Sequence, residues 1–183
     1  MPLTNQTLKS FKHGNVFLET GAHFGDGINE ALNVGFNKII SIEIEQKFID
    51  MCNNRFSNEV ASGRVQIIKG DTLKIMGEII VNINEPITFW LDAHWDNDGE
   101  HGEKLCPLFE ELGFIKNHPI KNHLILIDDM RCMGGGLWGT GVQKEKIIEH
   151  IKEINSEYKI SYTNGDLNHP AYIDDIMVAQ IGD

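Results

Sequence analysis

Val16-Phe-Leu-Glu-Thr-Gly-Ala-His-Phe-Gly-Asp-Gly27 is the stretch whose reading decides the fold. It opens apolar, as a buried strand does, and turns through three glycines into Ile28-Asn-Glu-Ala-Leu32, which reads as helix. A glycine-rich turn between strand and helix lets the backbone approach a ligand closely and aims unpaired helix N–H groups at it. The spacing departs from the dinucleotide fingerprint G-x-G-x-x-G, because His23 stands where the second glycine would be. Glu19 closes the strand just before the turn. A carboxylate there would repel phosphate and suits a ligand carrying an ammonium group.

Outward from this stretch the chain alternates. Leu3–Phe11 reads as a short leading helix, Val16–Glu19 as the first strand and 26–34 as its helix, ended by Gly35. Lys38–Ile44 is a second apolar strand, and Glu45–Phe56 carries Phe48, Ile49, Cys52 and Phe56 at helical spacing. Arg64–Lys69 is a third strand, followed by Gly70-Asp71 and a helix that Thr72 can cap. Pro86–Asp92 is a fourth strand, 105–116 a helix, His123–Asp128 a fifth strand and Gln143–Ile154 a helix. Tyr158–Thr163 and Asp175–Ile181 close the chain as strands. Strands apolar throughout, alternating with helices, predict a mostly parallel seven-stranded α/β sheet with helices on both faces. The last connection is too short for a crossover helix, so one closing strand is antiparallel.

At 183 residues the chain is expected to form one domain, 1–183. Its formal charge of −11 argues against a general nucleic-acid or anionic-membrane surface. Cys52, Cys106 and Cys132 are an odd number with no C-x-x-C pair, which suggests reduced thiols rather than a disulfide framework. The N-terminus lacks the basic-then-apolar pattern of a signal peptide, and no run is long enough to span a bilayer. A cytoplasmic protein is expected. Its oligomeric state stays open, a homodimer included.

In open sheets of this kind ligands bind beyond the carboxyl ends of the strands. The strand-ending polar residues are Glu19, Glu43, Asp71, Asp92 and Asp128, all acidic. Glu43 lies about 20 residues after the glycine turn, where a carboxylate can accept both ribose hydroxyl protons. Its plainer role is a solvent-facing acid in the alternation Ile42-Glu-Ile-Glu45. Asp71 either accepts from an adenine amino group or caps the next helix.

Glu19-x-Gly21-x-x-x-Gly25, Glu43, Gly70-Asp71-Thr72 and the two closing strands together resemble the class I S-adenosylmethionine (SAM) methyltransferases, a Rossmann-like fold, over nearly the whole chain. The resemblance implies SAM as cofactor, with contacts from Glu19, Thr20, Gly21, Ala22, His23, Gly25, Glu43, Asp71, Thr72 and Asp92. Glu19 would lie near the amino-acid end of SAM, Glu43 would hold the ribose and Asp71 the adenine. His23 is a departure from the pattern and narrows the loop.

Trp90-Leu-Asp-Ala-His-Trp95 and Leu126-Ile-Asp-Asp-Met130 bring Asp92, Asp128 and Asp129 toward one mouth. Such a cluster resembles the metal site of catechol-type O-methyltransferases, which implies Mg²⁺ or another divalent cation. Asp129 stands where that group often carries Asn. The competing reading has Asp129 capping a turn and Asp92 alone facing SAM. His94 can take the acceptor proton, ligate a metal, or make a plain loop hydrogen bond. Asp96-Asn-Asp-Gly-Glu-His101 invites a calcium-loop reading, but the register puts His94 first and Leu105 last, which excludes an EF-hand. Gly134–Gly141, with Trp138, suggests either an acceptor lid or a loose connection. The expected function is a SAM-dependent methyltransferase acting on a small-molecule acceptor, at oxygen, with Asp92 and His94 catalytic. The alternatives are a nucleoside-binding protein without transfer and another nucleotide-dependent enzyme on the same frame.

Overall fold

The computed structural model describes residues 3–94, 99–135, 138, 140–165 and 170–182. The strands are β1 (Val16–Thr20), β2 (Lys38–Glu43), β3 (Val65–Lys69), β4 (Ile87–Leu91), β5 (Leu124–Ile127), β6 (Tyr158–Thr163) and β7 (Ile176–Ile181). The helices are α1 (Asn5–Phe11), α2 (Asp26–Val34), α3 (Gln46–Arg55), α4 (Ser57–Ala61), α5 (Thr72–Ile80), α6 (Leu108–Asn117) and α7 (Lys144–Ile154). The strands form a single seven-stranded sheet in the order β3-β2-β1-β4-β5-β7-β6. The first five are parallel to one another, and β7 runs antiparallel to both β5 and β6.

The order reverses between β1 and β4. The chain steps outward from β1 through β2 to β3, then returns to pair β4 with the other edge of β1. At such a switch the connections leave in opposite directions and open a crevice at the carboxyl ends of the strands. Both central strands are buried along their whole length, as a sheet covered on two faces requires. Alternate β1 residues serve opposite faces. Val16 and Leu18 join a core with residues of α5, α6 and α7, and Phe17 joins one with residues of α1, α2 and α3.

Several boundaries differ from the sequence expectation. The helix expected over 45–56 ends at Arg55, and a separate turn of helix, α4, follows it. Of the two capping residues expected, Asp71 caps α5: its Oδ1 accepts from the Leu73 amide at 3.0 Å, and Thr72 is the first helical residue. The helix expected from 105 begins at Leu108, so Lys104, Leu105 and Cys106 lie ahead of it. Pro107 at its N-cap explains the delay, since proline has no N–H to lose there and disfavours helix in the residue before it.

Candidate active site

The turn after β1 begins at the bottom of the crevice. Gly21 donates to the Ile42 carbonyl at 2.8 Å and has φ +87. A Cβ on Gly21 would stand 2.5 Å from the Asp92 carbonyl oxygen, so only glycine fits where this turn meets the chain leaving β4. Asp92 donates to the Thr20 carbonyl at 3.1 Å, which carries the β1–β4 ladder one residue further. His23, at the position of the missing glycine, takes φ +45, a left-handed conformation uncommon for a side-chain-bearing residue. Its ring does not fill the turn. It lies exposed against Phe24 and Phe48, at centroid distances of 4.0 and 4.5 Å.

His23 also joins the turn to β2, for its amide donates to Glu43 Oε2 at 2.9 Å. Glu43 Oε1 accepts from the Ile44 and Glu45 amides at 2.7 and 2.8 Å. Three donors fill three of roughly four acceptor positions of a carboxylate. One position on Oε2 is left, enough for one ribose hydroxyl rather than the two first expected. Glu45, which sequence reading passed over, sits beside it with a Lys47 ion pair at 2.8 Å. Lys47 holds its carboxyl below the usual range.

Glu19 differs from its expected place. Its side chain is fully enclosed, takes a 2.7 Å hydrogen bond from the Ser41 hydroxyl, and packs against Gly27, where no Cβ would fit. Burial pushes its pKa up to about 8. It props the start of α2 from inside the fold rather than meeting a ligand's ammonium directly. Asp71 takes the expected capping role through Oδ1, while its Oδ2 accepts from the Glu103 amide at 2.9 Å. Thr20 and Thr72 are buried, and both hydroxyls face Glu111 of α6.

On the other side of the crevice the aspartates group differently from expectation. Among the described residues, ligand atoms of Asp92, His94 and Asp129 lie within 4.8 Å of one another, as do those of Asp128, Asp129 and Asp175. Asp92 and Asp128 do not share a trio. Asp128 is buried, and its Oδ1 accepts from the Asp129 amide at 2.7 Å. Loss of water pushes the Asp92 carboxyl well above its ordinary range, with Asp128 and Asp129 adding repulsion. Arg131 relieves part of this charge, pairing with Asp129 at 2.6 Å and with Asp175. Asp129 takes φ +60, so the turn after β5 folds its side chain back toward His94.

His94 is the residue here that most needs explaining. Its side chain has no exposed surface, and among the described residues neither ring nitrogen has a hydrogen-bond partner. Burial lowers its pKa to about 4, so the ring is neutral at pH 7. It stacks on Trp138 at 4.6 Å, and Trp138 lines a cavity of about 360 Å³ with Cys106, Phe109 and Val142. Trp95, Asp96, Asn97 and Asp98, and Gly136, Leu137 and Gly139 of the expected lid, lie outside the described residues.

No family model matches the chain. A putative rRNA methylase of Clostridium thermocellum superposes with a TM-score of 0.65 at 18% identity, covering 96% of this chain and 92% of that one. A SAM-bound O-methyltransferase of Streptomyces achromogenes gives 0.66 at 12% identity, over 98% and 78%. An SAH-bound methyltransferase of Podospora anserina gives 0.62 at 14%, over 98% and 76%. The fold is that of the class I SAM-dependent methyltransferases. Within sequence comparison, a probable ribosomal RNA small subunit methyltransferase A of Methanospirillum hungatei is 33% identical over 87 residues, 43% of this chain. The chain spans about a third of that relative's length.

Sequence reading missed Glu45, Glu111, Arg131 and Asp175 at this methyltransferase-fold crevice. Glu111 carried a signal, since it interrupts the stripe Leu108, Leu112, Ile115 at a core position of its helix. Asp175 and Arg131 meet only through tertiary contact and carried none.

Proposed function

We propose that this chain is a SAM-dependent methyltransferase, acting as one domain over 1–183, that methylates a small acceptor at oxygen. The observation that carries the reading is the contact of Gly21 with the Asp92 carbonyl, which joins the glycine turn and the Asp92–His94 segment into one mouth. The turn and Glu43 would bind SAM on one side, with the Glu43 Oε2 position taking a ribose hydroxyl. Asp92 and His94 face the other side, beside the cavity that ends at Trp138. Transfer would be direct: the acceptor oxygen attacks the sulfonium methyl, the O–C bond forms as the S–C bond breaks, and the electron pair stays on sulfur. Without a bound ion the acceptor proton would pass to neutral His94, whose single free ring nitrogen can serve as base or as metal ligand but not as both.

Asp92, His94 and Asp129 fit a divalent cation. The orphaned, buried His94 nitrogens point to a missing partner, and two carboxylates with one imidazole are a sound mixed donor set. When bound, such an ion would stabilise the developing alkoxide as a Lewis acid. The donor set favours Mn²⁺, Fe²⁺ or Zn²⁺ over the Mg²⁺ expected from an all-aspartate trio. A second reading, an RNA acceptor, is supported by the rRNA methyltransferase likeness. The net charge of −11 speaks against it.

Calorimetry with S-adenosylhomocysteine (SAH) tests the cofactor assignment. Glu43→Ala should weaken binding about ten- to a hundredfold. No heat with wild type, or equal affinity in the variant, rejects it. Methyl transfer from labelled SAM to hydroxylated small molecules, run beside RNA and with and without EDTA, then separates acceptor class and metal need.

A further inference from the structure

The chain leaving β4 does not turn directly into α6. Although β4 pairs with β1 and β5, residues 99–103 lie at the ends of β2 and β3. There they are fastened at two points. The Glu100 amide donates to Glu45 Oε1 at 3.0 Å, and the Glu103 amide donates to Asp71 Oδ2 at 2.9 Å. Each fastening is close enough to require glycine beside it. A Cβ on Gly99 would collide with the Glu45 carboxylate, and one on Gly102 would stand 2.6 Å from the Asp71 carboxyl carbon. A Lys74–Glu103 pair at 3.2 Å adds a third tie, this one to α5.

Both carboxylates are therefore divided between two elements. Glu45 gives Oε2 to Lys47 of α3 and Oε1 to the strap; Asp71 gives Oδ1 to its own helix and Oδ2 to the strap. These are the acids that flank Glu43 at the edge where a nucleoside would lie. A nucleoside presents N–H and O–H donors to such acids, and backbone amides now occupy them.

We propose that residues 99–103 are a strap gating the nucleoside side of the cofactor mouth, latched by the Glu100 and Glu103 amides on Glu45 and Asp71. This rests on the SAM reading above. The strap must release for SAM to enter and for SAH to leave, and it closes behind either. Such a gate sets rates more than equilibrium, since it slows passage in both directions.

The test is stopped-flow exchange of SAH on wild type and Gly102→Ala, with hydrogen exchange on both. Gly102 has no positive φ, so the alanine acts by pushing the strap off Asp71 rather than by straining the backbone. In ligand-free wild type, the Glu100 and Glu103 amides should be protected from exchange, and Gly102→Ala should remove that protection. Association and dissociation of SAH should both accelerate, by about fivefold or more, while Kd changes by less than about threefold. Unchanged rates in a folded variant overturn the gate and leave the cofactor reading standing. Amides exchanging at free-peptide rates in wild type also overturn it. Wild type that binds no SAH brings down the cofactor reading, and the gate with it.

Discussion

Glu111 shows what a single side chain can cost a fold. It takes a core position of α6 between Leu108 and Leu112, and among the described residues neither carboxyl oxygen has a hydrogen-bond partner. The Thr72 and Thr20 hydroxyls lie near enough to favour its charge without completing such a bond, and burial wins, pushing the pKa up to about 7. The folded state therefore keeps a proton that the unfolded chain loses as pH rises past about 4.5. Stability contributed by this group is full below about pH 4.5 and falls as pH climbs to 7. Glu111→Gln removes the ionisation while keeping the shape, and its amide can donate to either threonine. The variant should match wild type in the free energy of urea unfolding near pH 4.5 and exceed it by about 1–3 kcal/mol at pH 8. A constant difference at both pH values would show that the carboxyl does not titrate as argued. Glu43 belongs to the same scale but was legible earlier, because its place after β2 follows from chain distance alone. That three loop amides would occupy most of it was not legible, since the Ile44, Glu45 and His23 amides converge only once the turns are built.

Elements were the most legible level, because their apolar runs and glycine stops are local. The strands fall within a residue or two of expectation, and α2 runs from Asp26 to a left-handed Gly35, as the glycine stop implies. The departures came where tertiary contacts act: α6 waits until Leu108, and residues 99–103 ahead of it are tied to Glu45 and Asp71. At the other end of the sheet, α6, β4 and β5 are joined by a histidine chain that no local pattern announces. The Ile87 amide donates to His123 Nδ1 at 3.0 Å, which leaves the proton on Nε2 facing His118 Nδ1 at 3.1 Å. His118 Nε2 then donates to the Ile80 and Ile83 carbonyls at the end of α5. The role of His123, accepting at Nδ1, requires its neutral ring. Burial, with His118 adding to it, lowers the His123 pKa to about 3, so the unfolded chain takes up a proton near pH 6.5 that the folded one refuses. Stability from His123 is thus present above about pH 6.5 and lost as pH falls toward 3. His123→Asn keeps an acceptor for Ile87 but breaks the link to His118. It should lower stability by about 1–3 kcal/mol at pH 7, with the gap narrowing by pH 5. Parallel acid limbs for the two proteins would remove His123 from the account.

Across the whole molecule the sheet order and the charge act on the same spot. The reversal between β1 and β4 opens one crevice, and the strand ends and strap around it carry Glu43, Glu45, Asp71, Asp92, Asp129, Glu100 and Glu103. Arg131, Lys47 and Lys74 offset part of this, and burial holds Asp92 toward its neutral form, on a chain with a formal charge of −11. A mouth lined by one sign of charge raises the local concentration of ligands of the opposite sign, and salt screens that effect over about 8–10 Å. SAM carries a sulfonium, an ammonium and a carboxylate, a net charge of +1. SAH has lost the sulfonium charge and is neutral overall. The two differ in little else, so they form a matched pair for the protein's field. The association rate of SAM should fall about three- to tenfold between 20 and 300 mM salt, while that of SAH changes by less than about twofold. Dissociation of both should be nearly independent of salt, because steering acts on encounter rather than on the bound complex. Stopped-flow measurement of both ligands on the same protein decides the matter. Equal salt slopes for SAM and SAH would mean that the acidic rim is neutralised locally, and that substrate charge does not guide entry.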